Sequence, residues 1–248
     1  WIMMGLVAIH GHGLADEGGD ARVDSGSFCC VEKSTKPPPI GNFALPSSQR
    51  PGALLTFGGN IIDVGEGKIF FFVDRFGGKS KLTIDGFPGL TFGVTDNFSV
   101  VFGFPFTPCL RNGKEHSSGW EDCFIQGEYA FYNNSTFAYS DQASLVATFL
   151  FPTGSSRKKP STGFGAPSFF LGAVYHHSTV DWFMSIGVGG TLTGSDHGTK
   201  FGDKFLYECS IGRNIPSPRG WIYACVIEMD GEYSKKNRMH GVLDPDSG

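Results

Sequence analysis

The sequence predicts an all-β fold, and three observations specify it as a transmembrane antiparallel up-and-down β-barrel. Segments of about nine to eleven residues alternate large apolar residues with small or polar ones, the length a tilted strand needs to cross hydrocarbon. Short turn signals and long polar connections follow one another in step along the chain. Glycine and phenylalanine are abundant together, 36 and 24 of 248 residues, whereas glycine-rich collagen-like or disordered chains lack aromatics.

The formal net charge is −4, and lysine and arginine form no stripe, so no nucleic-acid partner is expected. Mean hydropathy is close to zero, which excludes a bundle of apolar membrane helices. It does not exclude barrel strands, because only every second residue of those meets lipid. Amphipathic helical periodicity is lacking throughout.

Taken in order, residues 1–15 read as a partial signal peptide. Ile2 to Ile9 is an apolar run too short to span a bilayer as a helix, and Gly13-Leu14-Ala15 offers small residues at the cleavage positions. The basic leading region is lacking, so the sequence is expected to begin within that peptide. The alternative is a buried N-terminal strand. Residues 16–50, with Lys36-Pro37-Pro38-Pro39 and Pro46-Ser47-Ser48, carry no sustained period and read as a Pro-rich periplasmic lead-in.

Residues 51–248 read as the barrel. Strands are predicted near 53–58, 68–75, 88–95, 97–106, 120–132, 137–151, 164–176, 180–192, 203–213 and 220–233. Tight turns fall at Thr95-Asp96-Asn97, Asn133-Asn134-Ser135, His177-Ser178-Thr179 and Ser217-Pro218-Arg219. Between them lie long polar loops: Thr107 to Gly119, Thr153 to Gly163, Thr193 to Gly202, and Ser234 onward. In 180–192, Trp182, Met184, Ile186 and Val188 share one face, while Phe183, Ser185, Gly187 and Gly189 share the other. Trp120, Trp182 and Trp221 each open a strand, as aromatic girdles at a membrane interface do. A closed barrel of this kind needs an even strand count, about 12 when complete. The last strands are therefore expected beyond Gly248, with the barrel incomplete at its C-terminus.

At this point the residues carry a resemblance. Ile40-Gly41-Asn42-Phe43-Ala44-Leu45-Pro46 and the run from Phe87 to Val100 are similar to a family of Gram-negative outer-membrane barrels. These are grouped with the "meta-pathway of phenol degradation" proteins. Tyr129-Ala130-Phe131-Tyr132, Phe151-Pro152-Thr153-Gly154 and Gly163-Phe164-Gly165 fit as well. The resemblance runs from about residue 40 to the end and rests on turns and strand ends. It implies the fold and an uptake role for small, often hydrophobic compounds, and it supplies no catalytic residue.

Asp122, Gln126, Glu128, Glu208, Glu228 and Asp230 fall on the faces assigned to the lumen, with few basic residues among them. Charges inside a membrane must face water or a partner, so these are the lumen-lining candidates. They suit passage of cations or neutral solutes, or else a packed polar interior that conducts nothing. Six cysteines make no CxxC pair and no metal site, and no cofactor is expected. Cys209 with Cys225, and Cys109 with Cys123, are the candidate disulfides of an oxidising compartment.

Gly187-Val188-Gly189-Gly190 lies inside an alternating strand and reads as small interior residues rather than a nucleotide loop. His116-Ser117-Ser118 and Asp196-His197 in outside loops are where a surface hydrolase would place its groups, but no converging partner can be identified. No enzymatic activity is therefore expected.

The expected location is the bacterial outer membrane. Partners are its lipid, the barrel-assembly machinery and lipopolysaccharide, whose phosphates Arg157-Lys158-Lys159 could meet. A channel or transporter for small hydrophobic or cationic molecules is the leading function. A non-conducting structural or adhesive barrel that displays its loops is the alternative, and a loop-borne hydrolase a distant third.

Overall fold

The computed structural model describes residues 2–10, 57–78, 80–136, 138–196, 198–216, 221–239 and 241–243. The lead-in at 16–50, the cleavage positions 13–15, Cys29, Cys30 and residues 244–248 lie outside these. No helix occurs among the described residues. The strands are β1 (Ile2–His10), β2 (Gly67–Gly77), β3 (Lys81–Thr95), β4 (Phe98–Gly103), β5 (Phe106–Asn112), β6 (Glu115–Trp120), β7 (Phe124–Ser135) and β8 (Tyr139–Leu150). There follow β9 (Ser168–Thr179), β10 (Trp182–Thr193), β11 (Ser195–Asp196), β12 (Thr199–Lys200), β13 (Lys204–Pro216), β14 (Trp221–Ser234), β15 (Arg238–Met239) and β16 (Val242–Leu243).

Twelve of these strands form one antiparallel sheet, curled into a half-barrel. From β3 through β4, β7, β8, β9, β10 and β13 to β14, each neighbour in space is the next long segment in sequence, which is an up-and-down order. One edge of β3 pairs with β2. The other pairs with β4 over Gly89–Thr95 and with β5 over Lys81–Gly86. β4 and β5 are thus one long strand broken at Phe104-Pro105, where proline has no N–H to give the ladder.

The alternation seen in sequence is real, and its polarity is inverted relative to a soluble protein. Along β10, Trp182, Met184, Ile186 and Val188 are exposed, while Ser185, Gly187, Gly189 and Thr191 are buried. The same holds on β8, where Leu145 and Phe149 face out and Ser144 and Thr148 face in. The concave side is lined by Ser, Thr, Gly and acids, and the convex side by Phe, Leu, Ile, Met and aromatic rings. Small satellite clusters of apolar residues sit inside, such as Val146 with Phe170 and Val174.

The two ends of the sheet differ. Asp96-Asn97 joins β3 to β4 and Val180-Asp181 joins β9 to β10, whereas residues 151–167 join β8 to β9. At the tight end Trp182 N–H donates to Thr179 Oγ1, and Trp182 carries the Arg213 guanidinium 5.3 Å from its ring centroid. At the loop end β11, β12, β15 and β16 form a separate four-stranded patch.

Several expectations are corrected here. Thr107 to Gly119 is not a loop but the hairpin β5–β6, turning at Gly113-Lys114 between the paired Asn112 and Glu115, with Gly113 at φ 63°, the positive φ a two-residue hairpin turn requires at its first central position. Residues 57 and 58 are not in a strand, and 53–56 lie outside the described residues. Apart from these corrections, the apolar run Ile2–His10 forms strand β1 at the edge of the sheet, antiparallel to β14 with Leu6 opposite Cys225.

The predicted disulfides are not made; Cys109, Cys123, Cys209 and Cys225 are free thiols. Register explains it. Cys209 stands opposite Met229, and Cys225 opposite Arg213, a four-residue offset of roughly 13 Å along a strand, beyond what a disulfide spans. Cys109 and Cys123 lie in opposite directions from the facing pair Phe106 and Trp120.

Candidate functional site

The concave face is crossed by a strap, residues 57–63, that passes from strand to strand and belongs to no ladder. It starts at β13, where Phe57 N–H donates to Glu208 Oε2 at 3.1 Å. It passes β7, where Gly59 N–H donates to Glu128 Oε1 at 3.0 Å and Asn60 N–H to Glu128 Oε2 at 2.9 Å. It reaches β4 with Ile62 N–H on Ser99 Oγ at 3.0 Å, and then β3, where a methyl on Gly93 would lie 2.1 Å from the Asp63 carbonyl oxygen. Six residues extend roughly 20 Å at most, so the strap is a chord that holds β13 and β3 within that span.

Local sequence explains the path. Gly58 passes so close to β9 that a Cβ would lie 2.6 Å from Val174 Cγ2. Gly59 takes φ 79°, the left-handed conformation that turns its own N–H and the next one onto a single carboxylate. The Phe57 ring packs edge-on to Phe170 at 4.7 Å between centroids, against Val146 and Val174.

The predicted lumen residues can now be placed. Glu128 is fully buried, and besides the strap it accepts from Ser144 Oγ at 2.7 Å. Gln126 is also buried. It donates from Nε2 to the Phe57 carbonyl at 2.8 Å and accepts from Thr148 Oγ1 at 3.0 Å. Glu208 is 7 % exposed, and its Oε1 accepts no hydrogen bond from any described residue. Asp230 stands opposite Glu208, and Glu228 opposite Ser210. Glu208 lies within electrostatic reach of Glu228, Asp230 and Glu128, so the structure gathers four carboxylates on one concave surface. The buried charged side chains among the described residues are all acidic.

Asp122 stands apart from that group. It sits in the connection between β6 and β7 and clamps the 151–167 loop, accepting from Gly154 N–H at 2.9 Å and Phe164 N–H at 2.6 Å. It also helps line a cavity of about 710 Å³ at the loop end. Asp74, Asp85 and Glu121 form one wall of that cavity, Lys204 and Lys235 another, with Phe87, Phe124 and Phe201 between them. Asp74 faces Asp85 across β2 and β3, and the Thr107 hydroxyl lies between Asp85 and Glu121. Both lysines are partly committed, Lys204 to Glu232 at 3.0 Å and Lys235 to Asp203 at 3.5 Å. The cavity therefore keeps an acidic, aromatic character.

The described residues weighed for a hydrolase lie in separate strands, His116-Ser117-Ser118 in β6 and Asp196 in β11. His116 lies in β6 opposite Arg111, and Asp196 accepts from Ser156 Oγ at 3.1 Å; His197 lies outside the described residues. No group of His, Cys, Asp and Glu among the described residues could hold a metal.

The strap was not anticipated, because its partners are 37 to 151 residues away in sequence. The one available signal was the pair Gly58-Gly59 beside Asn60 after an apolar run, which announces an irregular, closely packed backbone rather than a strand. No family model matches the chain, and no curated protein matches it in sequence.

Proposed function

We propose that the chain is an outer-membrane β-barrel that passes small hydrophobic or cationic molecules, of the kind it resembles among the phenol-degradation outer-membrane proteins. The observation that carries this reading is the inverted burial. Exposed Ile186, Leu145 and Phe149 alternate with buried Ser185, Ser144 and Thr148, which is costly in water but is what a lipid-facing, water-lined sheet requires. The principal strands, at 11 to 15 residues for β2 and β3 and 12 each for β8, β9 and β10, are long enough to cross hydrocarbon when tilted.

In this reading Ile2–His10 serves as the export segment, and its removal would bare the edge of β14 for closure of the barrel. The tight turns face the periplasm. The 151–167 loop, with Arg157-Lys158-Lys159, faces lipopolysaccharide. The concave acids suit cations and disfavour anions.

A second reading, a non-conducting structural barrel, is favoured by one observation: the strap occupies the interior. Planar-bilayer recording separates the two, with cation-preferring conductance expected for the channel. Heat modifiability in SDS tests the barrel itself, since a closed ladder resists unheated detergent. Equal mobility of boiled and unboiled samples, with protein in the soluble fraction, would reject both readings.

A further inference from the structure

We propose that the strap is a removable stopper, and that the carboxylates beneath it, Glu128 and Glu208, form a site for a small organic amine bearing an apolar ring, which binds by displacing the strap. The proposal rests on the barrel interior described above and assigns that interior a ligand class.

The strap shows what the site accepts. It places a phenyl ring, Phe57, against Val146, Phe170 and Val174. A short distance from the ring it places N–H donors on two carboxylates: Phe57 on Glu208, and Gly59 and Asn60 on Glu128. What it lacks is charge. Residues 57–62 are Phe, Gly, Gly, Asn, Ile and Ile, so the strap brings no cation to the carboxylates, and Glu208 Oε1 has no donor among the described residues although the side chain is more than nine-tenths buried. Gly187 on the neighbouring strand, whose Cβ would lie 2.6 Å from that oxygen, closes the other side.

An ammonium beside an aromatic ring supplies the same ring and the same donors and adds the missing positive charge. Charge-assisted hydrogen bonds are roughly twice as strong as neutral ones. Displacing the strap breaks side-chain anchors and no β-ladder, so the sheet is left intact.

The test uses the full chain refolded in detergent micelles and titrated calorimetrically with 2-phenylethylamine, 2-phenylethanol and phenylacetate. The amine is expected to bind, with the alcohol and the acid at least about tenfold weaker. Hydrogen exchange at the Gly59 and Asn60 amides should accelerate in the amine complex, because their carboxylate has been taken. Glu208→Gln retains an oxygen for Phe57 N–H but not the charge, and should weaken amine binding by about tenfold or more.

A disulfide lock supplies the complementary test. The ideal Gly58 Cβ lies 3.0 Å from Val174 Cβ, within an ångström of disulfide geometry. In a cysteine-free background carrying Gly58→Cys and Val174→Cys, oxidation should weaken amine binding relative to the same variant reduced, so that the altered ring contact at Val174 is common to both arms. Equal binding of all three probes, unchanged exchange at Gly59 and Asn60, or equal amine binding by the two lock states would overturn the proposal. Because the readout is binding, it is separate from the channel reading. Conductance without amine binding defeats only this inference, and amine binding without conductance defeats only the channel.

Discussion

The amide of Gly59 lies 3.0 Å from Oε1 of Glu128, and the two residues are 69 positions apart in sequence. Glu128 is the centre of the interior: it takes two strap amides and the Ser144 hydroxyl, and it is wholly buried. Glu128→Ala should therefore strand three buried donors. Each buried donor left unpaired costs roughly 1–3 kcal/mol, so a loss of several kcal/mol is expected in urea unfolding of the refolded chain. Glu128→Gln, which retains one acceptor, should fall between the variant and the parent.

The crossing of the strap over β3 predicts a contrast between two glycines. Gly93→Ala would bring a methyl within 2.1 Å of the Asp63 carbonyl and 2.8 Å of the Ile62 carbonyl, both backbone atoms that cannot rotate away. Overpacking of this kind costs about 1–3 kcal/mol. Gly67→Ala, where nothing lies within 4 Å, should leave the unfolding midpoint within error. Equal effects at the two sites would mean that the strap does not rest on β3.

Much of the sheet was legible because a curled sheet with one buried and one exposed face imposes a period of two. The segment read at 180–192 is β10 at Trp182–Thr193, and that at 68–75 is β2 at Gly67–Gly77. The period fades where a strand has no buried face. Glu115–Trp120, with sequence Glu-His-Ser-Ser-Gly-Trp, has no apolar face, so β6 was indistinguishable from a loop. Gln126, Glu128, Glu208 and Glu228 share the buried face of their strands, where alternation puts them, whereas Asp122 lies in the connection between β6 and β7. The strap was not legible, because a segment held by side-chain acceptors from other strands has no period of its own. The disulfide pairing failed for a related reason: equal distance from Ser217-Pro218 assumed a hairpin centre that the observed register, Cys209 with Met229, does not share.

The free thiols give a third prediction. Alkylation without prior reduction should modify Cys109, Cys123, Cys209 and Cys225, as read by mass spectrometry of the peptides that carry them. Cys209→Ser and Cys225→Ser should each change stability by less than about 1 kcal/mol, since no bond is lost. Protection of either residue that reductant abolishes would contradict the register described.

Asp203, in the loop before β13, predicts a pH dependence. Burial tends to raise its pKa, but the Thr193 N–H at 3.3 Å, Lys200 and Lys235 together outweigh that and hold it below the ordinary carboxylate value. A carboxylate depressed in the folded state contributes stability that is complete above its unfolded pKa, about 3.9, and lost as pH falls through the folded value. The loop end should therefore loosen below about pH 4, read as faster proteolysis near Lys200 and Lys235. Asp203→Asn should remove that acid step while leaving the strap amides protected.

Depth along one strand gives the sharpest test of the convex face. Ile186 is 54 % exposed midway along β10, and Leu192 is 64 % exposed near its loop end. In water, lysine at either exposed site is nearly free, within about 0.5 kcal/mol. In a bilayer the cost depends on depth: roughly 2–4 kcal/mol for a lysine at the midplane and about 0–1 near the interface, where the ammonium reaches headgroups. If β10 spans lipid, Ile186→Lys should destabilise the protein refolded in vesicles by several times more than Leu192→Lys, as read from urea midpoints. The asymmetry cannot come from lost packing, because both side chains point away from the concave face and Leu192 is the more exposed. Two equal and small effects would place the convex face in water, and the exposed phenylalanines and isoleucines would then need a protein partner rather than a membrane.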